Sequence, residues 1–269
     1  MELLGLAMAV LIGLSLGLIG GGGSILTVPV LVYVIGINPV RAITYSLFIV
    51  GMTALVGAVD YYRKNLVDLK AALAFTIPSF TAVFLTRKWI LPLIPNSLFS
   101  LGDFVFTKDI LIMVTFAFLM LFSAFSMIRQ KKQYIKLSRK SEESTFSYPF
   151  IFMEGVVVGV LTGFVGAGGG FLIIPALVLF AGLPMKMAIG TSLFIIAINS
   201  LIGFSTDLII GIDLDWRFLV SFSCLAFAGI LVGAYFSKRI ESSKLKPGFG
   251  WFILAMGAFI ILKELIIRR

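Results

Sequence analysis

Two runs of glycine, each set in the middle of a long apolar stretch, restrict this chain more than any other feature: Gly20 to Pro29 reads GGGGSILTVP and Gly166 to Pro175 reads GAGGGFLIIP. A glycine inside a helix costs about 1 kcal/mol against alanine. An unbroken helix through either run is therefore disfavoured. The pattern predicts a helix interrupted within a membrane, where backbone groups freed at the break can face a ligand.

The second run repeats the first. Gly17 to Ile49 aligns without a gap on Gly163 to Ile195 at an offset of 146, and 15 of the 33 pairs are identical. They include Gly20/Gly166, Gly22/Gly168, Gly23/Gly169, Pro29/Pro175, Gly36/Gly182 and Ser46-Leu47-Phe48-Ile49 on Ser192-Leu193-Phe194-Ile195. Further on, with small gaps, Asp68-Leu69-Lys70 falls near Asp215-Trp216-Arg217, and Arg87-Lys88 near Lys238-Arg239. The chain is one unit written twice: an N-terminal transmembrane repeat over 1–129, a basic linker over 130–148 and a C-terminal transmembrane repeat over 149–269.

Only 13% of the 269 residues are charged and 59% are hydrophobic, whereas a soluble globule carries about 25% charged residues. Apolar stretches of about 20 residues recur along the whole length. The expected class is an all-α polytopic protein of the cell membrane. The N-terminus has no basic region before its apolar run and carries Glu2, so Leu3 onward reads as a first span rather than a cleaved leader. The net charge of +9 resides in short connections between spans, the pattern of cytoplasmic loops rather than of nucleic-acid binding. The chain contains no histidine, which removes His-based metal sites and Ser-His or Cys-His nucleophiles. The single cysteine, Cys224, lies in an apolar helix and is expected to pack there.

Taken in order, apolar segments run over 3–19, 24–35, 42–61, 69–86 (with Pro78 as a kink), 110–128, 149–165, 171–181, 187–210, 216–237 and 248–265. Eight are long and two are short. Residues 89–108, interrupted by Pro92, Pro95, Asn96, Gly102 and Asp103, read as a loop at the interface. The 129–147 stretch, with six basic and two acidic residues, is expected in the cytoplasm. If the short segments 24–35 and 171–181 cross the membrane, each copy has five crossings and the copies are inverted; if they re-enter, the copies are parallel. The inverted plan is expected, because it puts the basic residues 238–246 inside and the acidic turn 211–215 outside, and because secondary transporters often use it.

A helix starting at Ser24, and its partner starting near Gly170, would each present unpaired N–H groups and the positive end of a dipole. Glycines before the start allow close approach of a ligand. Two such ends facing each other would hold an anion without a full positive charge. The candidate binding residues are Gly21, Gly22, Gly23, Ser24, Gly168, Gly169 and Gly170, with Ser46, Thr191, Ser192 and Asn199 as further polar groups. Close helix packing is the competing reading of the glycines; hydroxyls bonded to their own helix are that of the serines and threonine. Asp60, Asp207 and Glu154 are the carboxylates placed to carry a coupling proton, set against ordinary helix-end positions. Arg41 and Lys186 suit interfacial anchors.

At these residues the chain resembles the sulfite exporter TauE/SafE family of membrane permeases. The resemblance rests on the two glycine-rich breaks with Pro29 and Pro175 and on Gly190-Thr191-Ser192-Leu193; the first copy departs from it by reading Thr44-Tyr45-Ser46. It implies transport of small sulfur-containing or organic anions such as sulfite, sulfoacetate, sulfonates or thiosulfate. The expectation is a secondary transporter working by alternating access, coupled to a proton or sodium ion and needing no cofactor. Its partners are then the small anion and the lipid bilayer. An anion channel, or a carrier of a non-sulfur organic anion, is the alternative. An enzyme is disfavoured by the lack of histidine and of clustered carboxylate or cysteine ligands.

Overall fold

The computed structural model describes residues 2–19, 24–101, 104–129, 148–166, 169–170, 173–174, 177–178, 181–237 and 242–264. Nine helices can be followed among them: α1 (Glu2–Ile19), the short α2 (Ser24–Val34), α3 (Pro39–Arg63), α4 (Leu69–Leu93), α5 (Lys108–Arg129), α6 (Tyr148–Val165), α7 (Met185–Ile210), α8 (Trp216–Ser237) and α9 (Ser242–Leu262). Five of them, α3, α4, α5, α7 and α8, contain stretches long and apolar enough to cross a membrane, and α2, α6 and α9 contain shorter apolar ones. The linker and Lys238-Arg239 lie outside the described residues.

Local sequence explains where the helices begin and end. Asn38 Oδ1 accepts the Val40 N–H at 3.0 Å ahead of Pro39 at the first turn of α3. Asp68 Oδ1 accepts from Ala71 N at 2.9 Å at the start of α4, and Asp215 Oδ1 from Phe218 N at 3.0 Å at the start of α8. Such side chains satisfy N–H groups that no helix carbonyl can reach. Gly36 and its counterpart Gly182 both adopt left-handed φ, +83° and +64°. Around them Ile37 N–H reaches Leu31 O at 2.9 Å and Leu183 N–H reaches Leu177 O at 3.1 Å, so both short segments end in the same glycine turn.

Two expectations need correction. The stretch 89–108 is not all loop: α4 continues to Leu93 through a wider, π-type turn at Thr86–Ile90, in which Leu91 N–H donates to Thr86 O. Strands β1 (Ser97–Leu101) and β2 (Phe104–Thr107) then form an antiparallel hairpin. Phe99 stacks on Phe106 there at 5.0 Å between ring centroids, so the otherwise helical fold carries a small two-stranded sheet. Aromatic and β-branched residues at alternate positions favour strands, and the prolines that suggested loop only end the helix. Cys224 is exposed on α8 rather than packed inside.

The helices pack across the sequence repeat: α1 lies on α8, α4 on α6, α3 on α7 and α5 on α9, with α4 also touching α7 and α3 touching α8. Gly51 meets Leu201 and Gly57 meets Leu193, while Gly203 meets Leu47; α3 and α7 therefore run antiparallel. Gly155, Gly159 and Gly163 of α6 face Phe75, Ser79 and Thr86 in turn, so α6 runs parallel to α4. A Cβ at Gly159 would stand 2.3 Å from Ser79 O, and backbones come this close only along a face of small residues. Parallel pairing also holds between α4 and α7, since Asp68, Ser79 and Arg87 bond Thr191, Asn199 and Asp207. Hence α6 and α7 point the same way, and α7 starts at the end of the bundle where α6 began. Large apolar side chains, among them Phe118, Phe122 and Phe125 of α5 and Phe150, Phe152 and Met153 of α6, face outward, as suits a surface solvated by lipid.

Candidate functional site

The second break is formed by the end of α6 and the short segment after it. Gly166 N–H still bonds Thr162 O at 2.8 Å, closing the last turn of α6. Gly166 and Gly169 then take left-handed φ of +73° and +65°, a conformation that side chains with a Cβ rarely adopt. Helix resumes at Gly170, with Ile173 N–H on Gly169 O at 3.1 Å. The space beside these two glycines is occupied by protein: a Cβ on Gly166 would lie 2.3 Å from Ile43 Cγ2, and one on Gly169 would lie 2.6 Å from Thr162 Oγ1. At the first break, helical backbone resumes at Ser24, which is fully buried. Gly21, Gly22, Gly23 and Gly168 lie outside the described residues.

Several polar groups surround these helix starts. Ser46 Oγ donates to Gly166 O at 3.0 Å, tying α3 to the second break. Thr162 Oγ1, beside Gly169, and Thr27 Oγ1, in the first turn of α2, are buried with no hydrogen-bond partner among the described residues. Asn199 Nδ2 donates to Ser79 Oγ at 2.6 Å, while its Oδ1 is buried and unpartnered. Buried polar atoms are nearly always satisfied in native structures, so these oxygens mark places where water or a ligand belongs.

Thr191 and Ser192 are buried but turn elsewhere. Ser192 Oγ donates to Ile189 O of its own helix at 2.8 Å. Thr191 Oγ1 accepts the N–H of Asp68 at 2.9 Å, and Tyr45 Oη, its counterpart at the offset of 146, accepts the N–H of Asp215 at 2.9 Å. Tyrosine in the first copy thus takes the same part as threonine in the second: each hydroxyl accepts from the cap residue of the helix that follows its counterpart in the other copy. The residue that seemed a lost ligand donor supports a helix start.

The carboxylates differ sharply. Asp60 is exposed and pairs with Lys64 one turn on. Glu154 is half-buried on α6, with Oε2 shielded and unpartnered. Asp207 is 1% exposed and meets Arg87, also 1% exposed. Arg87 Nε donates to Asp207 Oδ1 at 2.7 Å and Nη2 to Oδ2, so the pair is bidentate. Thr44 Oγ1 donates to Asp207 Oδ2 at 2.6 Å and receives Arg87 Nη2 at 3.1 Å, while Nη1 reaches Gly163 O at 3.3 Å. Four helices, α3, α4, α6 and α7, thereby meet at one buried charge pair. Gly163 lies one turn before Gly166, and Thr44 lies two residues before Ser46, so the pair adjoins the second break.

Sequence reasoning missed Arg87, leaving it just beyond a span read as ending at Thr86. The available signal was the absence of any helix stop between Leu85 and Leu91, which keeps Arg87 within a 25-residue helix. Arg41, expected as an anchor, forms an exposed pair with Asp213 at 3.6 Å. No group of three or more potential metal ligands occurs among the described residues.

Comparison with known proteins agrees with this architecture. The chain is 29% identical over 260 residues to a "Probable membrane transporter protein" of Xylella fastidiosa (strain Temecula1), covering 93% of this chain and 91% of the relative. It is 27% identical over 251 residues to "Probable membrane transporter protein YunE" of Bacillus subtilis (strain 168), covering 88% and 90%. Over 122 residues it is 34% identical to "Probable membrane transporter protein MJ0441" of Methanocaldococcus jannaschii, covering 42% and 44%. No solved structure matches it significantly. The family described as "Sulfite exporter TauE/SafE" matches residues 5–260, and this multi-pass membrane protein belongs to that family.

Proposed function

We propose that the protein is a secondary transporter of a small anion, a sulfur oxyanion or organosulfonate such as sulfite, sulfoacetate or thiosulfate. The anion binds between the helix starts at Ser24 and Gly170 and moves by alternating access of two inverted repeats in the cell membrane, with the 130–147 linker cytoplasmic. The observation that carries this reading is the buried helix break at Gly166–Gly170 beside the unpartnered hydroxyl of Thr162. The positive dipole end of a helix start in a water-poor setting suits an oxyanion. The antiparallel course of α3 against its counterpart α7, and the exchange of α1 and α6 onto α8 and α4, support inversion: parallel copies would set α3 and α7 side by side in one direction. The names of the relatives support transport, and the family's name supports a sulfur anion. Asp207 is the carboxylate best placed for proton coupling, since Asp60 is exposed and Glu154 has no cationic partner within hydrogen-bonding reach among the described residues.

Purified protein should show anion-dependent thermal stabilisation, because a ligand of the folded state raises the melting temperature by mass action. Sulfite, sulfate, thiosulfate, sulfoacetate, taurine and a carboxylate control make up the screen. A selective shift with a sulfur anion, lost in folded Gly22→Leu and Gly168→Leu variants, is the expected result. Wild-type shifts in both variants would remove the helix-start site, and no shift with any anion would remove the function.

A further inference from the structure

The Arg87–Asp207 pair is unlike the other ion pairs among the described residues, which are exposed. Taking a guanidinium and a carboxylate out of water is costly, and such pairs inside a membrane protein persist where they serve a function. This one joins the copies: Arg87 and Thr44 come from the first, Asp207 and Gly163 from the second. Arg87 also sits in the π-type turn of α4 at Thr86–Ile90, a distortion frequent at functional sites. Two buried hydroxyls have no hydrogen-bond partner among the described residues, Thr86 Oγ1 on the residue before Arg87 and Thr162 Oγ1 on the residue before Gly163.

Resting on the anion-transport reading, we infer that Arg87 is an anion-binding residue and that Asp207 is a tethered occupant which the transported anion displaces when Asp207 takes up a proton. A carboxylate and an oxyanion compete for the same fork of N–H donors. A buried guanidinium needs one counter-charge and tolerates two poorly. Binding of a monoanion therefore adds one proton to an Asp207 oxygen, converting carboxylate to carboxylic acid, while the anion takes over the bonds from Nε and Nη2. The site's net charge is unchanged, and release reverses both steps. Proton and anion travel together. Thr86 and Thr162 supply hydroxyls for the oxygens that Asp207 does not mimic.

The groups around Asp207 allow this exchange. From α4 Asp207 faces Arg87 and from α3 the neutral Thr44, while the Gly163 carbonyl of α6 accepts from Arg87 Nη1. Lys108, at the start of α5, is close enough to feel Arg87's charge and is held by the Leu91 carbonyl. Glu154 is on α6, nine positions before Gly163.

The test uses full-length protein with methanesulfonate and thiosulfate as probes, neither of which titrates in the neutral to mildly acidic range. Wild type should bind methanesulfonate more tightly as pH falls and take up one proton per anion, read as the pH rise of a weakly buffered solution. Asp207→Asn should bind about tenfold or more tightly than wild type at neutral pH, without pH dependence; Arg87→Gln should lose binding. Wild-type binding without proton uptake, or a folded Asp207→Asn that keeps the wild-type pH dependence, overturns the inference while leaving anion transport standing. If an Asp207 variant fails to fold, proton uptake by the wild type still decides. Failure of both probes and of every anion in the earlier screen to bind wild type would overturn the transport reading, and this inference with it.

Discussion

Replacing Thr191 with valine separates two roles for one buried oxygen. The side chain keeps its shape and loses only Oγ1, which accepts the Asp68 N–H at 2.9 Å at the start of α4. Thr191 is fully buried and Asp68 partly so, so the stranded donor is incompletely reached by water. A net hydrogen bond contributes about 0.5–1.5 kcal/mol, and a buried donor left unpaired costs about 1–3 kcal/mol. Partial access puts the expected loss near 1 kcal/mol, or about 2–4 °C in melting temperature for a chain of this size. Tyr45→Phe removes the equivalent acceptor from Asp215 N, at 2.9 Å. Asp215 is exposed, so water replaces much of that bond and the loss should be smaller. Both variants should keep wild-type anion affinity, because both oxygens hold helix starts. Melting followed by tryptophan fluorescence, with and without the stabilising anion, measures both quantities. An unchanged melting temperature for Thr191→Val combined with weakened anion binding would refute the reasoning and make Thr191 a ligand.

Other substitutions give equally direct readings. Asp207→Ala should destabilise the protein by about 3–5 kcal/mol by stranding Arg87, whereas Arg87→Met with Asp207→Leu should recover most of that loss; equal losses in single and double variants in a melting assay would show that the charge pair is not the cause. Gly159→Leu should prevent α6 from seating on α4, since even a Cβ there stands 2.3 Å from Ser79 O, and should yield little monodisperse protein on size exclusion; a wild-type profile would contradict the packing. Asp60→Asn should change stability by less than about 0.5 kcal/mol, the scale of an exposed pair one helical turn apart, and a larger loss in the same melting assay would mean that the pair with Lys64 is not its only role.

Much of the architecture was legible locally. Helix starts at Asn38, Asp68 and Asp215, the glycine turns at Gly36 and Gly182, and the interruption of α6 at Gly166 all follow from residues within one or two turns of the event. The hairpin at Ser97–Thr107 was not, because prolines and glycines mark the ends of helices and strands alike. Residue identity alone did not set where the candidate side chains point. Ser46 does reach the second break, whereas Thr191 and Ser192 spend their oxygens on helices.

By itself the sequence determined a largely helical membrane protein that carries a glycine-rich motif twice. Apolar length, glycine freedom and helix capping act over a few residues, and repetition is visible without any fold. Only the tertiary structure decided that α3 and α7 cross antiparallel, that α6 and α7 point the same way, and that Arg87 is buried against Asp207. Those two residues lie 120 positions apart. Their partnership depends on the rotation and axial register of α4 against α7, which the packing of helices distant in sequence sets and no local pattern encodes.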